Sequence, residues 1–292
     1  MTTASELASG KGHTDENFPV ASILIARRHR PAILAFYNFA RAADDVADNA
    51  TAAPAEKLAL LEQMRASLAG ESDVSPESVA LRRMLTERRL TAQHPLDLLE
   101  AFRRDVTKKR YADWDELMDY CRYSAMPVGR FVLDVHGESR DTWPANDALC
   151  AALQAINHLQ DCAKDYRDLD RVYLPLDVME KQSLAVEALA RPVATPALRA
   201  VLAELARRTA RLLDRSRPFA SQIRDRRLAL EVSVIQTLAE DLTRRLLVRD
   251  PLSERVHHRR SEMPVLLLRA LGRFAAARLG PKRDGVAARP VS

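Results

Sequence analysis

Two pairs of aspartates, more than a hundred residues apart, constrain this chain more than any other feature of its sequence. Asp44 and Asp48 form the first pair, and Asp161 and Asp165 form the second. Within each pair the residues are four positions apart, which on an α-helix places both carboxylates on one face, about 6 Å apart along the axis. Like charges at this spacing destabilise an isolated helix. We therefore expect two helices whose acidic faces meet for a functional reason.

The composition predicts an all-α fold. Only 8 of the 292 residues are glycine, aromatic residues make up 5%, and Ala, Leu, Arg and Glu are abundant. With 47% apolar residues, the chain can bury a sizeable core. No linker or repeat divides it, so we expect a single-domain helical bundle over residues 15–280. Residues 1–14 and 281–292 are expected to be disordered.

Prolines and capping residues predict where the helices begin. Ser75 and Thr195 are expected N-caps, each followed by a proline at the first helical position, and Asp113 with Glu116 forms an expected capping box. Residues 168–192 form the one long irregular connection, and such connections often act as lids. The predicted helices cover about 20–49, 54–69, 76–91, 95–106, 113–133, 145–167, 196–219, 225–248 and 261–279.

The cysteines and the apolar runs bear on the location of the protein. Cys121, Cys150 and Cys162 are widely spaced and form no CxxC pair, so neither a zinc site nor a disulfide framework is expected. The N-terminus has no apolar stretch of signal-peptide length, and no apolar run is long enough to span a bilayer. We therefore expect a cytoplasmic protein.

Positive charge is concentrated at the C-terminal end. From Arg244 onwards there are twelve Lys and Arg against four Asp and Glu, which gives +8 there and −3 in the rest of a chain with net charge +5. No nucleic-acid-binding motif is present and the arginines are not interleaved with aromatic residues, so we expect no nucleic-acid partner. The two remaining interpretations are a solvated arginine-rich helix and contact with an anionic membrane surface.

The last predicted helix is amphipathic, which bears on the same choice. Its arginines, Arg269 and Arg273, lie opposite a predominantly apolar side. That side is expected either to pack against the bundle or to lie in the membrane interface, at the inner face of the cytoplasmic membrane. The predicted apolar side consists of Leu267, Leu268, Leu271, Phe274 and Ala275.

The acidic faces predict a site for divalent cations. Carboxylate oxygens are preferred ligands of hard cations such as Mg²⁺, and such cations bind diphosphate groups. Asn157 lies one turn before Asp161 and adds an amide oxygen to the same face. Arg41 lies one turn before Asp44, so it pairs either with diphosphate oxygens or, within its helix, with Asp44 or Asp45.

Three ordered motifs resemble those of the squalene/phytoene synthase family. Residues 36–48, with Tyr37 and Arg41 ahead of the aspartates, are similar to the first family signature. Residues 157–165 followed by 171–175 are similar to the second, and Tyr120-Cys121 with Val128-Gly129 resembles the helix between the two signatures. The resemblance covers nearly the whole chain and implies a bundle of the isoprenoid synthase type.

Within that family, the local sequence is most similar to the hydroxysqualene-forming branch of bacterial hopanoid biosynthesis. Members that condense two prenyl diphosphates usually have Ser at the position of Asn17, and commonly Arg at that of Gln160 and Glu at that of Lys164. These differences alter the charge beside the second acidic face and imply an enzyme with one diphosphate substrate. The segments that carry the similarity are 16–22, 123–129 and 157–161.

The resemblance also implies a mechanism. Two or three Mg²⁺ ions, held by the four aspartates, would bind presqualene diphosphate and assist the loss of its diphosphate group. The cation would rearrange in an apolar cavity and be captured by water to give hydroxysqualene, with no NADPH. The residues implied in this chemistry are the aspartates with Tyr37 and Tyr173, and those implied in substrate binding are Arg41, Asn157, Asn17, Phe18, Tyr120, Gln160 and Arg171.

Some assignments stay open at this point. Asn17 is better suited to be a helix N-cap than a phosphate contact, because Asn is a favoured cap and a helix is predicted nearby. His158 is expected to be structural because it projects about 100° away from Asn157 on the helix. A condensing synthase acting on two prenyl diphosphates and a non-catalytic assembly protein are the alternative functions, although the intact aspartates and Arg41 disfavour the second. The pathway implies a presqualene diphosphate synthase and a hydroxysqualene reductase as partner enzymes.

Overall fold

A computed structural model describes residues 25–279, and this part of the chain is mainly helical. Between these residues the only β-type pairing is an isolated parallel bridge joining Arg110 and Val172, so the all-α prediction is confirmed. The expected disordered segments, 1–14 and 281–292, lie outside the described residues. The helices are α1 (Arg30–Asp48), α2 (Pro54–Ala69), α3 (Pro76–Arg88), α4 (Gln93–Thr107), α5 (Trp114–Ser124), α6 (Met126–His136), α7 (Trp143–Leu169), α8 (Leu176–Glu180), α9 (Pro196–Ser216), α10 (Phe219–Gln222), α11 (Arg226–Leu246) and α12 (Met263–Leu279).

Three predicted caps begin their helices as expected. The Ser75 and Thr195 hydroxyls accept hydrogen bonds from the backbone amides of Ser78 and Leu198, at the starts of α3 and α9. The Asp113 carboxylate accepts from the amide of Glu116 at the start of α5. These bonds satisfy amide groups that have no partner within the helix.

Two predicted boundaries are wrong. The helix expected over 113–133 is broken at Ala125, between α5 and α6. Pro127 explains the break, because proline has no amide hydrogen to continue the bonding of α5 and is tolerated in the first turn of α6. The helix expected from about residue 20 begins at Arg30, with Pro31 in its first turn, where proline is tolerated. The connection 168–192, predicted to be irregular, is partly helical, since it contains α8 and a 3₁₀ turn at Val186–Ala190.

Contacts at the helix ends bring both aspartate pairs to one end of the molecule. Arg171, which follows α7, donates a hydrogen bond to Asp48, the last residue of α1. At the opposite end, His29 before α1 packs on His136 of α6, with ring centroids 4.2 Å apart. The C-terminal ends of α1 and α7 therefore meet, and a cavity extends from them between α1, α4, α5, α6, α7 and α11.

The side of α12 that packs on the bundle is not the predicted apolar side. Leu266 and Ala270 are buried, and Arg273 forms an ion pair with Glu240 of α11 at 2.5 Å. The leucines of the predicted apolar side, for which packing and membrane contact were both open, are exposed to solvent: 41% for Leu267, 70% for Leu268 and 49% for Leu271. Among residues 25–279, no helix is both long enough and apolar enough to cross a membrane.

Gly129 allows close contact between α6 and α7. A Cβ atom at this position would lie 2.0 Å from Oδ1 of Asn146 and 2.6 Å from Sγ of Cys150, both on α7. Asn146 is 1% exposed, and its side-chain amide donates to Asp147 Oδ1 at 3.1 Å, so displacing it would break this hydrogen bond. Glycine is therefore required here by contact between helices, rather than by its backbone conformation.

We expect Gly129→Ala to lower the free energy of unfolding by about 1–3 kcal/mol, because the added methyl group overpacks the contact between α6 and α7. Gly272→Ala in α12 is the matched control, since a Cβ atom added at Gly272 would have no neighbour within 4 Å. That control should be neutral or stabilising by up to about 1 kcal/mol. Urea unfolding followed by circular dichroism measures both, and a Gly129→Ala protein as stable as the wild type would contradict the close contact.

Candidate functional site

The two aspartate pairs face one cavity at the meeting point of α1 and α7. Asp44 and Asp48 occupy the last two turns of α1, and Asp161 and Asp165 lie in the C-terminal part of α7. All four line the cavity. The expected meeting of two acidic faces is therefore present in the structure. Both pairs also lie near the negative ends of their helix dipoles, which adds to the repulsion between them.

The electrostatics of the site reflect this crowding of negative charge. Burial, followed by the charge of Asp48, raises the pKa of Asp44 to about 7. Burial and the charge of Asp161 raise the pKa of Asp165 to about 7, and Asp48 on the opposite helix adds to this shift. The four carboxylates thus interact across the cavity as well as along each helix. An oxygen-rich, negatively charged set of this kind fits Mg²⁺, which favours carboxylate ligands.

Arg171 connects the two sides of the acidic end. Its guanidinium group donates to Asp48 Oδ1 at 2.5 Å, to the backbone oxygen of Ala47 at 3.1 Å and to the backbone oxygen of Asp105 at 3.0 Å. The residue is 7% exposed. Arg171, which the family resemblance implies in substrate binding, therefore lies at the site and holds one cavity-facing carboxylate in place.

Arg41 adopts the intrahelical arrangement that its spacing allowed. It contacts Asp44 at 2.8 Å and Asp45 at 2.7 Å, and it also lines the cavity. Asp45 is 7% exposed and does not line the cavity, so its carboxylate orients Arg41 from behind. Arg41 thereby places a positive charge beside the first aspartate pair.

Asp105 is a site residue that the sequence did not reveal. One of its carboxylate oxygens accepts from the hydroxyl of Tyr120 and the other from that of Tyr173, each at 2.8 Å. Burial raises the pKa of Asp105 to about 6, while the charge of Arg171 and the tyrosine hydrogen bonds oppose the increase. Asp105 belongs to no spacing pattern with its partners, and no sequence signal distinguished it from a surface aspartate of α4.

The tyrosines held by Asp105 form an aromatic group beside the acidic end. The ring centroids of Tyr120 and Tyr173 are 5.5 Å apart, and each lies within 5.5 Å of that of Tyr111. Tyr120 and Tyr173 line the cavity, as does Tyr37 from α1. The structure thus brings these three predicted aromatic residues to the boundary between the acidic end and the apolar part of the cavity.

The rest of the cavity is predominantly apolar. Its volume is about 550 Å³, which is within the range of pockets for organic ligands. Its polar residues away from the acidic end are few, and they include Asn157, Gln154 and Glu231. The apolar wall includes Ile33, Phe36, Leu98, Phe102, Phe131, Leu133, Leu149, Leu153, Phe219, Leu228, Val232 and Ile235.

Two expectations for α7 need correction. His158 is not solely a packing residue, because it lines the cavity, stacks on Tyr173 with centroids 3.6 Å apart and contacts Gln154 at 3.2 Å. Gln160 does not line the cavity. It is buried against the backbone oxygen of Val256, because its position on the helix points it towards the segment before α12. The cavity therefore spans a wider sector of α7 than the single row of aspartates suggested.

Two predicted substrate-binding residues, Asn17 and Phe18, lie outside the described residues. Of the others, Arg41, Tyr120, Asn157 and Arg171 line the cavity. The described cysteines, Cys121, Cys150 and Cys162, form no disulfide with one another.

A second group of potential metal ligands lies at the far end of α1. His29, His136 and Asp225 have ligand atoms within 4.8 Å of one another. Arg28 Nε donates to His29 Nε2, however, so the proton of the neutral ring resides on Nδ1, and that atom has no lone pair for a metal. Burial lowers the pKa of His29 to about 4, which is consistent with a neutral ring. The group lacks a third ligand and does not match a metal site.

Comparisons with known proteins agree with this geometry. The family model described as squalene/phytoene synthase matches residues 11–262. A hydroxysqualene synthase of Rhodopseudomonas palustris is 60% identical over 257 residues, covering 88% of this chain and 88% of the relative. A hydroxysqualene synthase of Zymomonas mobilis is 58% identical over 274 residues, covering 93% of this chain and 92% of the relative.

Solved structures show the same architecture. A squalene synthase from Alicyclobacillus acidocaldarius superposes with a TM-score of 0.70 at 33% identity, covering 82% of this chain and 90% of that one. A dehydrosqualene synthase in complex with a ligand gives a TM-score of 0.74 at 22% identity, covering 94% and 96%, which supports the fold alone. The facing aspartates, the apolar cavity and these matches together establish that the chain is an enzyme of the squalene/phytoene synthase family.

Proposed function

We propose that this enzyme ionises presqualene diphosphate in a Mg²⁺-dependent step and captures the rearranged cation with water, giving hydroxysqualene and diphosphate. The observation that carries the proposal is the arrangement of one cavity, with four carboxylates at one end and apolar walls over most of its remaining length. The hydroxysqualene synthases that are 58–60% identical to the chain support the choice of product. The reaction needs no hydride donor, so NADPH has no part in it.

The acidic end binds and activates the leaving group. Asp44, Asp48, Asp161 and Asp165 would hold Mg²⁺, which when bound neutralises the negative charge that develops on the departing diphosphate. Arg41 adds a positive charge beside the first pair and is placed to pair with diphosphate oxygens. Its ion pairs with two aspartates keep the guanidinium group oriented before substrate binds.

The remainder of the cavity controls the cation. Apolar walls exclude bulk water, which would otherwise quench the cation before it rearranges. The faces of Tyr37 and Tyr120 would offer negative electrostatic potential to a carbocation, and Tyr173, whose ring stacks on His158, lines the cavity beside them. Because Asp105 holds the hydroxyl groups of Tyr120 and Tyr173, these two rings cannot turn away from the cavity.

Purified enzyme with Mg²⁺ should convert presqualene diphosphate to hydroxysqualene and leave farnesyl diphosphate unchanged, because one preformed substrate supplies the whole carbon skeleton. Product analysis by gas chromatography with mass spectrometry, with and without NADPH, tests this. Turnover of farnesyl diphosphate alone to presqualene diphosphate, squalene or phytoene would contradict the proposal and favour a condensing synthase.

Replacing a metal-facing carboxylate should remove most of this activity. We expect Asp48→Asn and Asp161→Asn each to lower kcat by about a hundredfold or more, since each removes charge that would bind the activating cation. Asp168→Asn is the matched control, because Asp168 lies on α7 but is 53% exposed and pairs with Lys164. Full turnover by either site variant would refute the metal-binding role.

We also propose that α12 brings the enzyme into peripheral contact with an anionic membrane, at the inner face of the cytoplasmic membrane. Val265, Leu267, Leu268 and Leu271 are exposed along one short helix, next to the exposed Arg269. Exposed apolar side chains together with arginines suit a surface that contains acyl chains and anionic head groups. The charge of +8 from Arg244 onwards supports the same partner.

The double variant Leu268→Glu/Leu271→Glu should lose binding to phosphatidylglycerol vesicles. It replaces two exposed leucines of α12 with negative charges, which the anionic lipid head groups repel. Co-sedimentation at low and high salt measures the effect, and wild-type binding should weaken as salt increases. Val74→Glu is the matched control, since Val74 is 56% exposed but lies between α2 and α3. Undiminished binding by the double variant would rule out α12 as the contact.

A further inference from the structure

Gln154 and His158 form a polar pair in the wall of the cavity, between its acidic end and its apolar part. The side chains lie one turn apart on α7, and Gln154 Nε2 and His158 Nε2 are 3.2 Å apart. An amide nitrogen can only donate, so the imidazole nitrogen accepts this hydrogen bond. Both residues line the cavity. The pair thus fixes which way the Gln154 amide faces.

The imidazole of His158 is itself held rigidly. Its ring stacks on Tyr173 with centroids 3.6 Å apart and an interplanar angle of 14°. The hydroxyl group of Tyr173 donates to Asp105, so the stacking partner cannot move. Burial and the charge of Arg171 lower the pKa of His158 to about 3, and the neutral ring therefore keeps a lone pair for the glutamine. The orientation of Gln154 thus depends on contacts that extend to the acidic end.

This arrangement leaves the carbonyl oxygen of Gln154 available to a ligand in the cavity. Within residues 25–279, its amide group makes the bond to His158 and Oε1 accepts none. Gln154 lies seven residues before Asp161, or about 10 Å along the helix axis. With the diphosphate group of the substrate at the aspartates, an oxygen at this distance from them would face the carbon skeleton of the substrate.

We propose that Gln154, oriented by His158, holds the water molecule that captures the rearranged cation. The inference rests on the proposed function. Water donates one hydrogen bond to Gln154 Oε1, which directs an oxygen lone pair at the cationic carbon. That lone pair forms the new C–O bond. The protonated alcohol then transfers one proton from its oxygen to the diphosphate released in the first step, so charge and atoms balance. Gln154 contacts the water, and His158 is a positioning residue.

The competing fate of the cation is loss of a proton from carbon, which gives a polyene hydrocarbon. A water molecule held beside the cationic carbon favours the alcohol, whereas a dry wall at this position favours elimination. The ratio of alcohol to polyene therefore reports on water placement, and the rate of diphosphate release reports on the earlier ionisation. A purely structural role for the pair would change the second quantity or the stability, without changing the ratio.

The test uses full-length enzyme, Mg²⁺ and presqualene diphosphate, with release of diphosphate and both product classes measured together. Gln154→Leu, which keeps the size but removes the acceptor, should lower the ratio of alcohol to polyene by about tenfold or more, the equivalent of one lost hydrogen bond. Gln154→Glu retains acceptor oxygens and should keep the alcohol as the main product. His158→Phe retains an aromatic ring on Tyr173 but no lone pair, so its ratio should lie between those of wild type and Gln154→Leu.

The outcomes separate this inference from the proposed function. If wild-type enzyme releases no diphosphate from presqualene diphosphate, the proposed function itself fails. If wild type makes the alcohol and Gln154→Leu makes it in the same proportion, the function stands and the role of Gln154 is overturned. Loss of diphosphate release in Gln154→Leu, with unchanged thermal stability, would also overturn it, because the glutamine is assigned only to the capture step.

Discussion

Mutual repulsion among four carboxylates is the interaction on which the rest of the structure depends. α1 and α7 place their aspartates at C-terminal ends that meet, so like charges and negative helix ends converge in one place. Burial, together with this repulsion, raises the pKa values of Asp44 and Asp165. Arg41 and Arg171 offset part of it. A bound divalent cation would offset the rest, as the proposed binding of metal and diphosphate requires.

A layer of hydrogen-bonded aromatic groups separates this charged end from the apolar cavity. Asp105 anchors Tyr120 and Tyr173, and Tyr173 in turn supports His158. Arg171 belongs to both regions, since it contacts Asp48 on one side and the backbone of Asp105 on the other. The same contacts that position the carboxylates of the acidic end thus orient the aromatic groups of the cavity. In the proposed reaction, this network would link ionisation of the substrate to control of the cation.

Local signals in the sequence predicted the parts of this arrangement that depend on helical spacing. The four-residue interval within each aspartate pair and the caps at Ser75, Asp113 and Thr195 were sufficient for the acidic faces and for those helix starts. Features set by contacts between distant segments were not predicted. Asp105 acquires its role only when α4 meets the chain after α7.

The wrong predictions have the same origin. Gln160 was expected beside the substrate, but the chain at Val256 covers it. His158 was expected to be structural, and it does stack on Tyr173, but it also lines the cavity, whose width cannot be predicted from one helix. For α12, packing of the leucine row was one of two interpretations left open, and the residues that are buried are instead Leu266 and Ala270.

The measurement that tests the central claim most directly is the free energy of unfolding from pH 5 to 8, in EDTA and in Mg²⁺. The pKa values of Asp44 and Asp165 are about 7 in the folded protein and about 4 in an unfolded chain. Between these values the folded state binds more protons, so stability in EDTA should fall as pH rises through this range. Mg²⁺ should restore it, and increasingly so towards pH 8, because the cation binds the ionised carboxylates. Asp44→Asn/Asp165→Asn should weaken both effects. Wild-type stability that neither falls with pH in EDTA nor increases with Mg²⁺ would contradict a shared metal site between α1 and α7.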